Sequence, residues 1–413
     1  MKIEKDLPAP LTPTPWVAPE GMTGYRWVIL GLVFTAWITS FLDRLAWSNV
    51  GVSASEDMHL PLSSLGIFVT AFFIGYSASN FVMGFVTDRI GSRAALLFAL
   101  CPLGVFTAGF GMVHSMQAGL VLQVLMGLAA GVDNAACSKL VAIWFRKRHL
   151  GLAMSLLATA PSLGIGLTNA VYPAMLAFID WRTLYYGLGL WTLLVAIVAF
   201  TFIRNTPPDV KESETRGTAT LGSLVRNRTV MLIAGAGFGA IWATWGFAFW
   251  ANALMMKGRG LSSGEASLVM VAFSCGAVIS KPFIGWLSDK LGGRRKPFIA
   301  VCIGLLAVLL LVFGQAQTKS EFLVLAPFLG AAAFNYAPLM CALIAEAVGV
   351  ENTAAAIGVM NGFWQVGSVV APSAVALVYG ATNSFTSAFA TLAVGPLLGF
   401  VLTLFVSEKR KNK

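Results

Sequence analysis

Charge is what this sequence has least of. Asp, Glu, Lys and Arg together make up 11% of the 413 residues, and there are three histidines. So sparse a charge excludes a water-exposed surface for a soluble chain of this length. Cysteine is also scarce: Cys101, Cys137, Cys275, Cys302 and Cys341 fall inside apolar runs with no paired spacing. That excludes a disulfide framework and a metal site, and the five read as small buried hydrophobes. No nucleophile, base and orienting group cluster together, so neither enzymatic activity nor a cofactor is expected. A large hydrophilic domain is missing too, which argues against a membrane receptor or scaffold that signals through a soluble part. The first 25 residues are polar and Pro-rich, unlike a signal peptide, so the first apolar run is expected to be a retained anchor.

Apolar residues fill the space that charge leaves. Some 57% of the chain is hydrophobic, cut into runs that as helices cross a hydrocarbon core of about 30 Å. Spans are expected at Trp27–Val52, Leu62–Val86, Ala94–Val113, Met116–Ile143, Leu150–Ile179 and Thr183–Ile203. Six more follow at Thr229–Met256, Ala266–Leu287, Phe298–Gly314, Phe322–Ala345, Thr353–Tyr379 and Phe385–Val406. The runs are continuous rather than alternating, which favours helices over a barrel. The fold expected is therefore an all-α polytopic membrane protein of twelve transmembrane helices.

The net charge of +10 is dispersed among short links rather than gathered on one face, so no nucleic-acid partner is expected. Its distribution reads as topology. Links with both termini hold Arg89, Arg93, Arg146 to Arg148 and Arg294 to Lys296, whereas the opposite links hold only Arg182, Lys257, Arg259 and Lys319. The positive-inside rule then places both termini in the cytoplasm and the protein in an inner (plasma) membrane, surrounded by lipid.

One long hydrophilic stretch divides the chain. Residues 1–25 form an N-terminal tail, 26–204 one bundle, 205–228 a linker, 229–406 a second bundle and 407–413 a basic tail. The two bundles repeat each other. Gly84, Asp88, Arg89 and Arg93 close the second span, and Gly285, Asp289, Lys290 and Arg294 close the eighth, with both Gly and both Asp 201 residues apart. This G-x-x-x-D-[RK]-x-G-x-[RK] pattern resembles the loop of the major facilitator superfamily, which implies two pseudo-symmetric six-helix bundles. These eight residues are assigned to gating the terminus-bearing face, with service as topology anchors alone as the other reading.

Within that superfamily the chain is most similar to the anion:cation symporter family. Phe41 to Ser48 resembles its Y-x-D-R-x-N-x-S, with Ala46 in place of the Asn, and Trp144 to Ala153 resembles its W-F-P-x-x-x-R-G-x-A. Asn361, Gln365, Gly367 and Pro372 fall on its N-x-x-x-N-x-G-x-x-x-x-P, with Gln for the second Asn. The resemblance implies Arg44 as a ligand of substrate carboxylate and Asp43 as a proton-coupling acid. It also implies an Arg at Gln123 and a Glu at Ala130, both absent here.

Ionisable groups inside spans are costly and are functional candidates by default. Asp43 and Arg44 are neighbours about 100° apart on a helix, so one should face a cavity and the other a neighbouring helix. A structural network tying helices together is the alternative. Lys281 lies eight residues before Asp289, about 12 Å into the membrane, where it resembles the eighth-span cation of oxalate/formate and monocarboxylate transporters. It binds substrate, bridges to Asp43 or Asp133, or snorkels. Asp133 stands three residues after Ala130, nearly on its face, and can take over as the acid. Tyr76, Asn80, Asn335, Tyr336, Asn361, Gln365 and Trp242 complete the candidate substrate contacts, with interhelical glue and plain packing as the alternatives.

The function expected is secondary transport of a small organic anion, a sugar acid or a monocarboxylate, in symport with protons. A monomer would suffice. Export of amphipathic cations is the runner-up, and the buried bases Arg44 and Lys281 speak against it.

Overall fold

The computed structural model describes residues 24–61, 64–145, 147–204, 221–290, 295–348 and 353–406. The side chains at 81–86, 88–89, 147–148, 151, 221, 282, 285–286, 288–289 and 353–355 lie outside that description.

The first half contains α1 (Tyr25–Asp57), α2 (Ser64–Ile90), α3 (Ser92–Phe110), α4 (Met116–Ala130), α5 (Asp133–Trp144), α6 (Lys147–Leu157), α7 (Ala160–Leu176) and α8 (Trp181–Phe202). The short α9 (Leu221–Arg226) precedes the second half. That half contains α10 (Arg228–Arg259), α11 (Ser263–Lys290), α12 (Lys296–Gln315), α13 (Lys319–Val348), α14 (Thr353–Thr382) and α15 (Phe385–Leu404). Eleven segments are long and apolar enough to cross a membrane among the described residues, and α2, with 27 residues, is the twelfth. Helix ends follow local chemistry. Asp180, Asn227 and Ser384 accept backbone N–H groups at the starts of α8, α10 and α15, and Gly260 closes α10 at φ 70°.

Two spans that read as continuous in sequence each comprise two helices. The fourth passes from α4 to α5 at Gly131–Val132, and the fifth breaks at Ala158–Thr159 between α6 and α7. Pro161 accounts for that break, because it has no N–H for the carbonyl of Leu157 and its ring crowds that carbonyl. Gly131 and Val132 keep right-handed helical angles, so the fourth span continues through this point and Asp133 opens α5.

Close backbone approach sets the packing. A Cβ on Gly75 of α2 would lie 2.1 Å from the carbonyl oxygen of Val124 on α4, and one on Gly276 of α11 would lie 2.0 Å from that of Pro327 on α13. Gly75 and Gly276 are 201 positions apart, the same offset as the duplicated loops. The two halves thus use one device for the same helix pair.

The halves meet along α1–α10, α2–α14 and α7–α11. Contacts across the seam include Lys257 Nζ to Glu56 Oε1 at 2.6 Å, and Thr70 Oγ1 to the carbonyl of Val369 at 2.9 Å. Asn252 Nδ2 donates to Asn169 Oδ1 at 2.7 Å and to Asn49 Oδ1 at 3.3 Å. All of these sit toward the end of the bundle opposite the termini.

Two sequence readings change in detail. Cys137 and Cys302 are buried, but Cys101 and Cys275 are exposed on the outside of the bundle, where lipid takes the place of a protein core. The linker is not hydrophilic throughout, since Leu224 of α9 is buried in the second half.

Candidate functional site

Asp43 and Arg44 point in different directions from α1. Asp43 turns to α8, where its Oδ2 accepts from Thr192 Oγ1 at 2.7 Å while Oδ1 has no hydrogen-bond partner. Arg44 turns to the inside of the bundle and meets Asp133, with Nη2 and Oδ2 3.7 Å apart and both side chains at most 2% exposed. Asp133 Oδ2 also accepts from Ser40 Oγ, one turn before Arg44 on the same helix.

Arg44 is held chiefly by aromatic faces. Its guanidinium carbon lies 4.4 Å from the ring centre of Phe41, 4.2 Å from Tyr76, 5.5 Å from Phe72 and 6.0 Å from Trp245. Such contacts are each worth up to about 2 kcal/mol when desolvated. Among the described residues Nε and Nη2 have no hydrogen-bond partner, with Nη2 facing Asp133 across 3.7 Å. Nε and Nη2 together form the side-on fork that fits a carboxylate with two parallel bonds.

Lys281 lies across the seam, but neither Asp43 nor Asp133 is its partner. Its Nζ donates to the carbonyl of Ala158 and to Ser162 Oγ, each at 2.8 Å. Both acceptors belong to the interrupted fifth span, so a cation of the second half grips the break in the first. The ammonium also lies 5.1 Å from the ring centre of Phe334. Phe334 meets Trp245 edge-on at 6.4 Å, and Trp245 stacks on Phe41 at 5.8 Å and 9°. The two cations are therefore joined through a chain of rings contributed by both halves.

The neutral candidates divide. Tyr76 belongs to the Arg44 cluster, and Asn80 donates to the Tyr76 carbonyl at 2.9 Å. Asn335 donates to Ser280 Oγ, beside Lys281, at 2.7 Å. Tyr336 faces away, its hydroxyl 3.2 Å from Thr244 Oγ1 and its ring against Trp364. Asn361 is half-buried on α14, while Gln365, one turn on, is buried with Oε1 unpartnered. Trp242 does not join the site. Its Nε1 donates to the carbonyl of Thr391 on α15 at 3.0 Å, and its neighbour Trp245 occupies the centre instead.

Of the eight loop residues, Arg93 donates to the carbonyl of Phe200 and lies over that ring at 4.6 Å, joining α3 to α8 within one half. Lys290 is exposed at the end of α11. Gly84, Asp88, Arg89, Gly285, Asp289 and Arg294 lie outside the described side chains.

Sequence reasoning missed Ser40, Thr192 and Ser162, and it weighed Trp245 only beside Trp242. Hydroxyls are common in apolar spans, so these three carried no signal of their own.

A family model described as Major Facilitator Superfamily matches residues 32–262 and 233–413. The chain is 21% identical over 378 residues to the hexuronate transporter of Bacillus subtilis (strain 168), covering 87% of this chain and 90% of the relative. It is 23% identical over 405 residues to the gallate transporter of Pseudomonas putida, covering 89% and 88%. Among solved structures, it is similar to a bacterial homologue of the human lysosomal transporter Spinster in an inward-facing, unoccupied conformation. That likeness has a TM-score of 0.73 at 15% identity and covers 93% of this chain and 96% of the other.

Proposed function

The chain belongs to the Major Facilitator Superfamily, and we propose that within it the protein is a proton-coupled secondary transporter of a small organic carboxylate. The observation that carries this reading is Arg44, a guanidinium at most 2% exposed whose Nε–Nη2 fork has no hydrogen-bond partner among the described residues. A buried cation with an open fork is costly unless an anion completes it. The relatives' named solutes, hexuronate and gallate, are both carboxylates.

Asp133 is the coupling acid in this scheme. When ionised it balances Arg44 at 3.7 Å; when protonated it leaves the guanidinium charge for substrate. Proton and anion then bind with mutual support. Asp43, which faces Thr192 rather than a cation, holds α1 to α8. Lys281 senses the seam: its grip on Ala158 and Ser162 links occupancy of the site to the relative position of the halves.

Transport proceeds by rocking one half against the other. The latch formed by Asn252, Asn49, Asn169 and the Glu56–Lys257 pair supports a state closed at the far end. With both termini in the cytoplasm of an inner membrane, that state faces inward. The gating role of the duplicated loops fits this scheme, because they lie at the end that would close next.

The test is uptake of labelled carboxylates into proteoliposomes under an imposed pH gradient. Arg44→Ala and Lys281→Ala are expected to lose saturable uptake. Uptake untouched by both substitutions would remove the anion site.

A further inference from the structure

Resting on the carboxylate reading above, we propose that the substrate is a flat aromatic carboxylate rather than a polyhydroxylated sugar acid. Aromatic rings surround the open fork. Arg44 is flanked by the rings of Phe41 and Tyr76 at 4.4 and 4.2 Å, and beyond them lie Trp245 and Phe73, 6.2 Å apart. Phe41 and Phe73 belong to the first half and Trp245 to the second, so the ring cluster lies on the seam between the halves.

Phe41 and Trp245 are nearly parallel, at 9° and 5.8 Å between centres. A planar ring entering between the halves at Phe41 and Trp245 finds an aromatic face on each side, close to the Arg44 guanidinium. A saturated, puckered sugar chain makes no such stack.

The polar inventory points the same way. A sugar acid brings several hydroxyls, each needing a partner once water is excluded. Several hydroxyls and amides beside the two cations already make a bond within the protein. Ser40 donates to Asp133, Ser162 accepts from Lys281, Asn80 donates to the Tyr76 carbonyl, and Asn335 donates to Ser280 and the Ala331 carbonyl. A carboxylate with one aromatic ring asks for little beyond the fork.

The experiment is competition for uptake of labelled benzoate into proteoliposomes holding the full chain. Unlabelled benzoate and 4-hydroxybenzoate are compared with gluconate and glucuronate over the same concentration range. The expected result is saturable benzoate uptake, with the aromatic acids competing at concentrations on the order of tenfold or more below the sugar acids. Trp245→Leu is expected to raise the KM for benzoate while Trp245→Phe keeps it near the wild-type value, and the wild-type panel decides if either variant fails to fold. Sugar acids competing as well as benzoate, or gluconate taken up saturably while benzoate is not, overturns the aromatic assignment and leaves the carboxylate carrier standing. Saturable uptake of neither class removes both.

Discussion

Arg44 Nη2 and Asp133 Oδ2 lie 3.7 Å apart inside the first half, close enough to share an electric field and too far for a hydrogen bond. The pair is poised rather than closed. Attraction across such a gap depends steeply on whether the carboxylate is ionised, and Ser40, which donates to the same oxygen, fixes where the carboxylate stands. Four aromatic rings hold the guanidinium in place, so its geometry does not rely on Asp133.

Asp133→Asn is therefore predicted to uncouple transport. Net accumulation driven by a pH gradient falls to background, while exchange of labelled for unlabelled substrate persists. Ser40→Ala removes a hydrogen bond to the ionised carboxylate, of order 1.5–3 kcal/mol, which favours protonated Asp133, so substrate binding and pH-driven uptake are expected to persist to higher pH than in wild type. Counterflow against pH-driven uptake in the same vesicles checks both.

Asp43→Asn is predicted to behave differently. The amide can still accept from Thr192 on α8, so substrate affinity stays within about threefold of wild type, whereas Asp43→Leu loses that bond and lowers thermal stability by about 1–3 kcal/mol. Thermal unfolding of the detergent-solubilised protein, beside substrate titration, separates the two.

Lys281→Arg is predicted not to replace Lys281. The ammonium fits two acceptors at 2.8 Å at the break in the fifth span; a planar fork on a longer stem does not reach them in the same geometry. Uptake in Lys281→Arg is expected to match Lys281→Ala rather than wild type.

The far-end latch offers a graded comparison. Glu56 and Lys257 are partly exposed and paired at 2.6 Å, so Glu56→Gln costs less than about 1 kcal/mol and moves the balance of closed and open far ends by less than about fivefold. Asn252 is buried and serves two amide acceptors. Asn252→Leu is expected to shift that balance further, read as distances between spin labels placed on α1 and α10.

Packing supplies a control. Gly276→Leu puts side-chain atoms against a backbone carbonyl that a Cβ alone would approach to 2.0 Å, and it is predicted to prevent stable folding. Gly264→Ala, with open space around it, leaves thermal stability unchanged.

The twelve spans and the two-half architecture were legible in the sequence because hydrocarbon imposes one length and one composition on every span, and because duplication left Asp88 and Asp289 at matching places. The divergence of Asp43 and Arg44 followed from helix geometry alone. The pairing of Arg44 with Asp133 did not, since it depends on how α1 packs against α5. Lys281 was legible as a cation in need of acceptors, but which acceptors depended on how two halves meet. Trp242 and Trp245 could not be told apart before the neighbours of α10 were known, because both lie on a helix that is apolar nearly all round.

The most direct measurement is binding of a carboxylate to the purified protein at two pH values, in wild type, Arg44→Ala and Asp133→Asn. The account predicts tighter binding at the lower pH in wild type, binding without pH dependence in Asp133→Asn, and no saturable binding in Arg44→Ala. Full affinity in Arg44→Ala, with the pH dependence of wild type intact, would contradict it.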